Sequence, residues 1–222
     1  MRKILKTLKN MAKIAIIIHV SIFLAFSIVS LIYSFHNPKT TSLMIFRKLN
    51  DSHKVQDISF IPIKKIYPHT REMLITTEDP GFYFHHGIDV GAIMNAYRIN
   101  KKLGYPKWGG STITQQIART LFLIPAKSYI RKYMEVLIAL TMDLIIPKDR
   151  ILELYINYIE FGKGIFGIGQ ASIYYYGDTF SNLHDEEIIR LITILPNPIK
   201  YDVSNFFSNK HLRKRYINLM NY

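Results

Sequence analysis

The sequence predicts a mainly α-helical protein with one N-terminal helix that could cross a membrane. Apolar residues recur at helical spacing from about Pro68 onwards, whereas no stretch of useful length alternates polar and apolar residues as a half-buried strand does. Residues 14–35 form an apolar run without formal charge, apart from the imidazole of His19, and about 20 apolar residues suffice to cross a bilayer. The remaining chain is long enough for one domain with its own core.

The residues that precede this apolar run are strongly basic. Five lysine or arginine side chains lie before it, and the first acidic residue of the chain is Asp51. The positive-inside rule therefore keeps the short N-terminus in the cytoplasm and exports residues 37–222. The alternative is a cleaved signal peptide, whose apolar region is usually only about 7–15 residues long. The longer run favours an uncleaved anchor at 14–35, after a basic tail at 1–13.

The charge balance indicates an anionic partner. Lysine and arginine number 29 against 16 acidic residues, a formal net charge of +13. A nucleic acid is an improbable partner for a domain outside the cytoplasm, so an anionic lipid or its headgroup is the better interpretation. The chain has no cysteine, which excludes disulfide bonds, cysteine-ligated zinc and thiol catalysis.

Local signals mark the helices beyond the anchor, after a connector of mixed polarity at 36–59. Ser128 can cap a long apolar helix, and Pro147 stops it. That helix is apolar on nearly every side, so it lies either in the core or close to the membrane. Acidic side chains from Asp185 onwards suit the first turn of a later helix. Apolar spacing predicts helices near residues 68–78, 89–103, 112–124, 128–146, 148–161, 164–175, 185–195 and 207–221.

Two adjacent carboxylates, Glu78 and Asp79, end the first of these helices before a Pro-Gly turn. A carboxylate at a helix C-terminus faces the negative end of the helix dipole, which is unfavourable. A residue in a locally costly place is a candidate for function, although an isolated Glu-Asp pair is also typical of a solvated loop. His85 and His86 follow, but without the spacing of a metal-binding motif they are weak evidence for a metal site.

The stretch GGSTITQQ at 109–116 predicts a helix start, because Thr112 and Gln115 fit a capping box. A glycine-rich entry also leaves backbone N–H groups open to an anion. A well-capped helix without a ligand is the alternative. Further along, Arg131 and Glu135 have the i, i+4 spacing of a helical ion pair, which by itself carries no functional weight.

The glycines at 162, 164 and 167 match the spacing of a dinucleotide-binding fingerprint. That fingerprint requires a preceding strand, and the residues before these glycines have helical spacing. We therefore reject a dinucleotide site.

Together these motifs resemble the family 51 glycosyltransferases, the peptidoglycan glycosyltransferases. The resemblance covers about residues 60–205 and is closest to the stand-alone, membrane-anchored form, because the chain ends before a transpeptidase domain could begin. The matching residues are Glu78, Asp79, Phe82, His85 and Gly87, the block GGSTITQQ at 109–116, then Arg131, Lys132 and Glu135, then Lys148, Ile151, Leu152, Glu153, Tyr155 and Asn157, and finally LPNP at 195–198.

The resemblance implies a lysozyme-like helical glycosyltransferase domain at 60–222, with a helical head and a smaller jaw that faces the membrane. It implies an enzyme of the bacterial cytoplasmic membrane whose catalytic domain is periplasmic or extracytoplasmic. The implied reaction polymerises lipid II into glycan strands with inversion at the anomeric carbon and release of undecaprenyl diphosphate. The implied partners are lipid II, the growing strand, the bilayer and other cell wall and division proteins, but no nucleic acid.

The resemblance also implies roles for individual residues. Glu78 matches the catalytic base, and Glu135 matches a second glutamate that organises nearby cations or a divalent metal, Mg²⁺ or Mn²⁺, near the diphosphate. Arg119 and Lys127 match diphosphate-binding positions, although some relatives have arginine in place of Lys127. No cofactor is required. The further residues expected at the substrate are Asp79, Phe82, His85, Ser111, Thr112, Gln115, Gln116, Arg131, Lys132 and Asn157.

Three interpretations stay open on the sequence. His85 is interpreted as a structural residue that orients the turn after Glu78, with a direct catalytic part as the alternative. A lysozyme-like hydrolase is a rival function, but it would not need cations for a diphosphate. A catalytically idle anchor for other wall enzymes is the third hypothesis, and the presence of both Glu78 and Glu135 argues against it.

Overall fold

A computed structural model describes residues 2–50, 54–105 and 109–222 of the chain. As predicted, this part is mainly α-helical, with ten α-helices and one two-stranded hairpin. In chain order the elements are α1 (Arg2–Phe35), α2 (Ser42–Asn50), α3 (Pro68–Glu78), α4 (Val90–Leu103), α5 (Ile113–Phe122), α6 (Tyr129–Ile145), α7 (Lys148–Tyr158), β1 (Glu160–Gly162), β2 (Ile165–Phe166), α8 (Ile168–Tyr176), α9 (Asp185–Ile194) and α10 (Lys210–Met220).

The N-terminal helix α1 is long and apolar enough over Lys3–Phe35 to cross a membrane, and an 18-residue window within it has a mean hydropathy of 2.6. Its C-terminal half packs against the rest of the protein, largely on α6. Phe26 and Tyr33 both contact the ring of Phe122, and Ser30 is fully buried. One continuous helix therefore contains both the apolar run and the basic residues before it, and the boundary between tail and anchor stays a prediction.

The stretch predicted as a connector contains a helix of its own, α2. The Thr41 hydroxyl accepts a hydrogen bond of 3.1 Å from the Met44 amide, which satisfies one of the free N–H groups at the start of this helix. Arg47 forms an ion pair of 2.8 Å with the buried Glu160 of β1. The connector is thus fixed to the domain by a contact between residues far apart in the sequence.

The core is built around α5 and α7, which pack against each other, while α6 packs against both. Ile113 and Ile117 of α5 and Leu152 and Ile156 of α7 are fully buried. Burying each such side chain contributes roughly 1.5–3 kcal/mol to stability. One side of the long apolar helix α6 lies in this core, as one of the two predicted locations requires, and another side packs against α1. The alternative location close to the membrane stays a prediction.

Two predicted helices are wrong at the ends where they approach each other. Helix α7 ends at Tyr158 rather than at 161, and α8 begins at Ile168 rather than at 164. The residues between them form the antiparallel hairpin β1–β2. Gly167 has a φ of +77°, which a helix interior does not allow, and its N–H donates to the Ile159 carbonyl at 2.9 Å.

Candidate active site

The start of α5 is the frame of the candidate site. The capping box predicted for Thr112 and Gln115 is confirmed: the Thr112 hydroxyl accepts from the Gln115 amide at 3.1 Å, and the Gln115 side chain accepts from the Thr112 amide at 3.0 Å. The Thr112 hydroxyl also donates to the Gly87 carbonyl at 2.6 Å. Both side chains are buried, so their observed contacts hold the 79–89 loop against the helix start.

Glu78 is the last residue of α3, and its side chain is only 10% exposed. One carboxylate oxygen accepts a hydrogen bond of 3.1 Å from the Gln116 amide group of α5. The other oxygen forms an ion pair of 2.5 Å with Arg215 of α10. The side-chain oxygen Oε1 of Gln116 in turn accepts a hydrogen bond of 3.3 Å from the Tyr155 hydroxyl. The carboxylate is therefore held from two sides by groups on different helices.

Sequence reasoning missed Arg215. Its residue type carries little information, because α10 contains several basic side chains and the family motifs end before it. The available signal was position: Arg215 lies three residues after Leu212 and four before Leu219, which are the two buried side chains of that helix. These spacings share one helix face, so the pattern could have indicated a cation that faces the interior.

Asp79 links the turn after Glu78 to the start of α5. Its buried carboxylate accepts a hydrogen bond of 2.9 Å from the Ile113 amide, and both of its oxygens lie 2.9 Å from the ring nitrogen Nε2 of His85. Burial raises the pKa of Asp79 above its ordinary value, while the Ile113 N–H and His85 act in the opposite direction. These contacts support the structural interpretation of His85, since it orients the turn through Asp79.

A second cluster lies near the same, N-terminal end of α5. Glu135 of α6 is fully buried, and its carboxylate forms ion pairs with Arg131, at 2.7 Å, and with Lys132. The Lys132 ammonium also donates to the Ser111 hydroxyl at 2.9 Å. Ser111 directly precedes the N-cap Thr112, and Gln116 is the fourth residue of α5. The two glutamates are therefore linked to residues only five positions apart at the start of α5, Glu135 through Lys132.

Two of the expected diphosphate-binding cations have no partner among the residues that the structure describes. Arg119 is half-buried on α5, three residues after Gln116, and its guanidinium forms no hydrogen bond or ion pair there. Lys127 is exposed on the loop between α5 and α6 and is likewise unpaired within the described ranges. Within the described part of the chain, both cations therefore remain candidates for binding an anion.

Tyr155 shows that Arg119 and Glu78 share one environment. Its ring is fully buried. Burial, followed by the nearby Glu78 carboxylate, raises the pKa of Tyr155 well above its ordinary value, while Arg215 and Arg119 oppose this shift. A free cation and a held carboxylate therefore flank the same hydroxyl.

The family model described as Transglycosylase matches residues 45–221. The chain belongs to the transglycosylase family. It is therefore a glycosyltransferase, and its helical domain has the lysozyme-like fold of that family. The match begins inside α2, so it includes part of the stretch that the sequence predicted as a connector.

Curated relatives of this transglycosylase are similar to it over about three quarters of either chain. Three of them are named biosynthetic peptidoglycan transglycosylase. The relative from Azoarcus sp. (strain BH72) is 41% identical over 173 residues, which are 76% of this chain and 75% of the relative. The relative from Herminiimonas arsenicoxydans is 39% identical over 172 residues, 75% and 74%. The relative from Dechloromonas aromatica (strain RCB) is 38% identical over 176 residues, 78% and 76%.

Two residues expected at the substrate lie outside both clusters of the transglycosylase. Phe82 is fully buried, with the Lys148 ammonium 4.8 Å from its ring centroid. The Asn157 amide is fully engaged with backbone groups: it accepts from the Ile61 N–H at 2.7 Å and donates to the carbonyls of Ile61 and Glu153 at 2.8 Å. Both positions are held by structural contacts, and direct contact with substrate stays a prediction.

The surroundings of Glu135 in the transglycosylase do not fit a divalent metal ion. Both carboxylate oxygens already bind cationic side chains, Arg131 and Lys132, which would repel a second cation. Across residues 2–50, 54–105 and 109–222, no three histidine or acidic side chains are grouped as metal ligands. Of the two roles implied for Glu135, the geometry fits the organisation of cations.

Proposed function

We propose that this transglycosylase builds peptidoglycan by polymerising lipid II. The 4-hydroxyl of one disaccharide attacks the anomeric carbon of a sugar carried on undecaprenyl diphosphate. The oxygen–carbon bond of the new glycosidic link forms while the bond from that carbon to the diphosphate breaks. The electron pair of the broken bond leaves with undecaprenyl diphosphate, and the configuration at the anomeric carbon inverts.

Glu78 is the base of this reaction. A sugar hydroxyl is a poor nucleophile, so a carboxylate must take its proton as the new bond forms. A single displacement with inversion needs such a base and no covalent intermediate on the enzyme. The side chain of Glu78 is held by Gln116 and Arg215 yet keeps partial exposure, which suits a group that must meet a substrate hydroxyl.

The observation that carries the proposal is the free guanidinium of Arg119, three residues along α5 from the Gln116 that binds Glu78. The leaving diphosphate is a weak base, so it needs positive charge more than it needs a proton donor. Arginine suits bidentate contact with phosphate, and the exposed Lys127 adds a second positive charge on the loop after α5. A hydrolase that cuts a finished glycan would have no use for a cation near its carboxylate that has no partner among the described residues.

Glu135 serves the same step indirectly. By holding Arg131 and Lys132 through its buried carboxylate, it fixes two more cations, of which Lys132 also contacts Ser111. Fixed charges stabilise a departing anion without rearranging during the reaction. We therefore propose that the leaving group is neutralised by side chains alone, with no required cofactor.

A membrane anchor suits an enzyme whose substrate is a lipid. We propose that α1 anchors the enzyme in the bacterial cytoplasmic membrane, with its basic N-terminus in the cytoplasm and the domain on the outer side. The apolar span over Lys3–Phe35 and the basic residues at its start support this orientation. The enzyme, lipid II, the growing strand and the bilayer then meet at one surface, and other cell wall proteins are candidate partners there.

The decisive experiment is lipid II polymerisation by a Glu78→Gln variant in liposomes. Glutamine keeps the shape of the side chain but cannot accept the proton, so we expect a loss of turnover of about 100-fold or more, with lipid II binding nearly intact. The matched control is Glu72→Gln, an exposed position on the same helix α3, which should polymerise normally.

Two results would overturn the proposal. Strand assembly by Glu78→Gln at the wild-type rate would remove the base assignment. Release of muropeptides from finished peptidoglycan by the wild-type enzyme, without strand growth, would instead identify a hydrolase.

A further inference from the structure

Among the described side chains that bind the Glu78 carboxylate, Arg215 lies outside the motifs quoted from the sequence. It lies on α10, and its side chain is 12% exposed. One guanidinium nitrogen, Nη2, contacts both the Glu78 carboxylate at 2.5 Å and the Ile192 carbonyl at 3.1 Å. The other, Nη1, donates to the Thr77 carbonyl at 3.3 Å. The same guanidinium therefore binds the Glu78 side chain and the backbone of the residue before it.

These contacts offset an unfavourable charge at the end of α3. Glu78 places a negative charge at the C-terminus of α3, where the helix dipole is also negative. The Thr77 carbonyl is one of the last four of that helix and has no N–H partner within it. A guanidinium that meets both groups offsets the charge and satisfies the carbonyl, so the carboxylate can be kept in this place.

We infer that Arg215 is a positioning residue for the base Glu78, an inference that rests on the proposed function. Arginine is planar and charged at every working pH, so it cannot take the hydroxyl proton itself. It acts through Glu78 by fixing where the carboxylate oxygens lie. Gln116 holds the second oxygen, and together the two contacts leave the carboxylate one orientation.

The surroundings of Arg215 differ from those of an ion pair inside the apolar core. Arg215 and Thr77 line an open cleft of about 410 Å³ between α3 and α10, together with Lys214 and His211. Glu78 does not line this cleft, so Arg215 lies between the cleft and the carboxylate that it binds.

Positioning has a measurable consequence for turnover. A displacement of about 1 Å in a reacting group can cost about 100-fold in rate. Without Arg215 the carboxylate keeps only the Gln116 contact and can rotate away from the substrate hydroxyl. Substrate binding depends on other groups, so the loss should appear in kcat and not in KM.

The test compares Arg215→Ala, Arg215→Lys and the control Arg213→Ala in lipid II polymerisation, with the full chain in liposomes. Arg213 is exposed on the same helix and does not line the cleft. We expect kcat to fall about 10- to 100-fold in Arg215→Ala, with KM within about twofold. Lysine can reach Glu78 but not all three acceptors, so Arg215→Lys should recover part of the loss. Arg213→Ala should match the wild type.

A double variant shows whether Arg215 acts through Glu78. If it does, Glu78→Gln/Arg215→Ala should be no slower than Glu78→Gln, because residues that act as a unit are not additive. The inference is overturned if Arg215→Ala lowers kcat by the same factor in the Glu78→Gln variant as in the wild type. It is also overturned if Arg215→Ala alone keeps the wild-type kcat, or if it changes only KM. If Arg215→Ala melts below the assay temperature, Arg215→Lys carries the test, and wild-type kcat there overturns it.

Failure of this inference and failure of the proposed function give different results. An active Glu78→Gln variant would remove the base itself. An inactive Glu78→Gln beside a fully active Arg215→Ala would leave the base in place and reject only the positioning role.

Discussion

The Arg150 guanidinium of α7 donates a hydrogen bond of 2.9 Å to the Tyr33 carbonyl, in the last turn of α1. It also donates to the His36 carbonyl at 2.9 Å and to the Asn37 side chain at 2.8 Å. Carbonyls at the end of a helix have no partner within it, so an arginine there closes the helix and opposes its dipole. The proposed anchor is therefore joined rigidly to the catalytic domain at the point where it leaves the membrane.

Arg150→Ala should loosen this joint. Three contacts to the end of α1 disappear, and the Glu153 carboxylate loses its ion pair with Arg150. The chain has no cysteine, so spin labels can be placed at Ile28→Cys and Lys163→Cys, two exposed positions. We expect the distance distribution between the labels to broaden in the Arg150→Ala background. An unchanged distribution would show that packing of α1 on α6 fixes the helix without Arg150.

Removal of residues 1–36 should lower turnover on lipid II in liposomes, because an anchored enzyme meets a lipid substrate in two dimensions. On a water-soluble short-chain substrate the two forms should turn over alike. The comparison needs both substrates, since α1 also covers part of α6 and its loss exposes apolar surface there. Equal activity of both forms in liposomes would contradict the anchoring role.

Glu135→Gln should destabilise the fold and slow polymerisation. The buried carboxylate is the shared counter-ion of Arg131 and Lys132, and its neutralisation leaves two cations side by side. Because both cations are partly exposed, we expect a loss of about 1–3 kcal/mol in the free energy of unfolding rather than the larger cost of a fully buried pair. Urea denaturation measures it, and wild-type stability would show that solvent screens these charges fully.

Asp79→Asn should change how stability depends on pH. Burial raises the pKa of Asp79 in the folded state, so the folded protein binds this proton more tightly than the unfolded chain. The stability that the group contributes is complete below its unfolded pKa of about 4 and is lost as pH rises through the folded value. Relative to the wild type, the asparagine variant should therefore gain stability as the pH rises from about 4 towards neutrality. Urea titrations at several pH values test this, and a constant difference would contradict it.

Gly167→Ala should be among the most disruptive single-methyl changes in the domain. The residue has a φ of +77°, and an added Cβ would lie 2.3 Å from the Asn157 carbonyl oxygen. Gly104→Ala is the matched control, because Gly104 also has a φ of +77° but no atom within 4 Å of such a Cβ. We expect a loss of about 1 kcal/mol for the control from backbone strain, and clearly more for Gly167→Ala from strain and collision together. Similar melting temperatures for both variants would show that the hairpin moves aside.

Much of the helical architecture could be predicted from neighbours in the chain. Helix α3 has the predicted bounds, 68–78, and the capping box at the start of α5 has the predicted partners. The proline before α7 and the acidic first turn of α9 also lie where helices begin. These signals act over three or four residues, which is the range of a helical hydrogen bond or a cap. For the same reason the short helix α2 and the hairpin β1–β2 were missed, since contacts with distant residues stabilise them.

The residues of the candidate site could be located from the sequence, but their contacts could not. Motif spacing located Glu78, Glu135 and their α5 neighbours, but it could not separate residues that face a cleft from residues that hold the fold. Asn157 and Thr112 are polar and belong to matching motifs, yet their groups are used by the backbone around them. Whether a polar side chain is free depends on what packs around it, and no local pattern records that.

By itself the sequence determined the helical class, the apolar N-terminal run and the acidic and basic residues of a glycosyltransferase. Only the tertiary structure decided which cation holds Glu78, the proposed base. Arg215 and Glu78 are separated by 137 positions, so their ion pair exists only after α10 has folded back onto the end of α3. Burial then makes that contact strong, because two charges shielded from water attract each other more than they do in solvent.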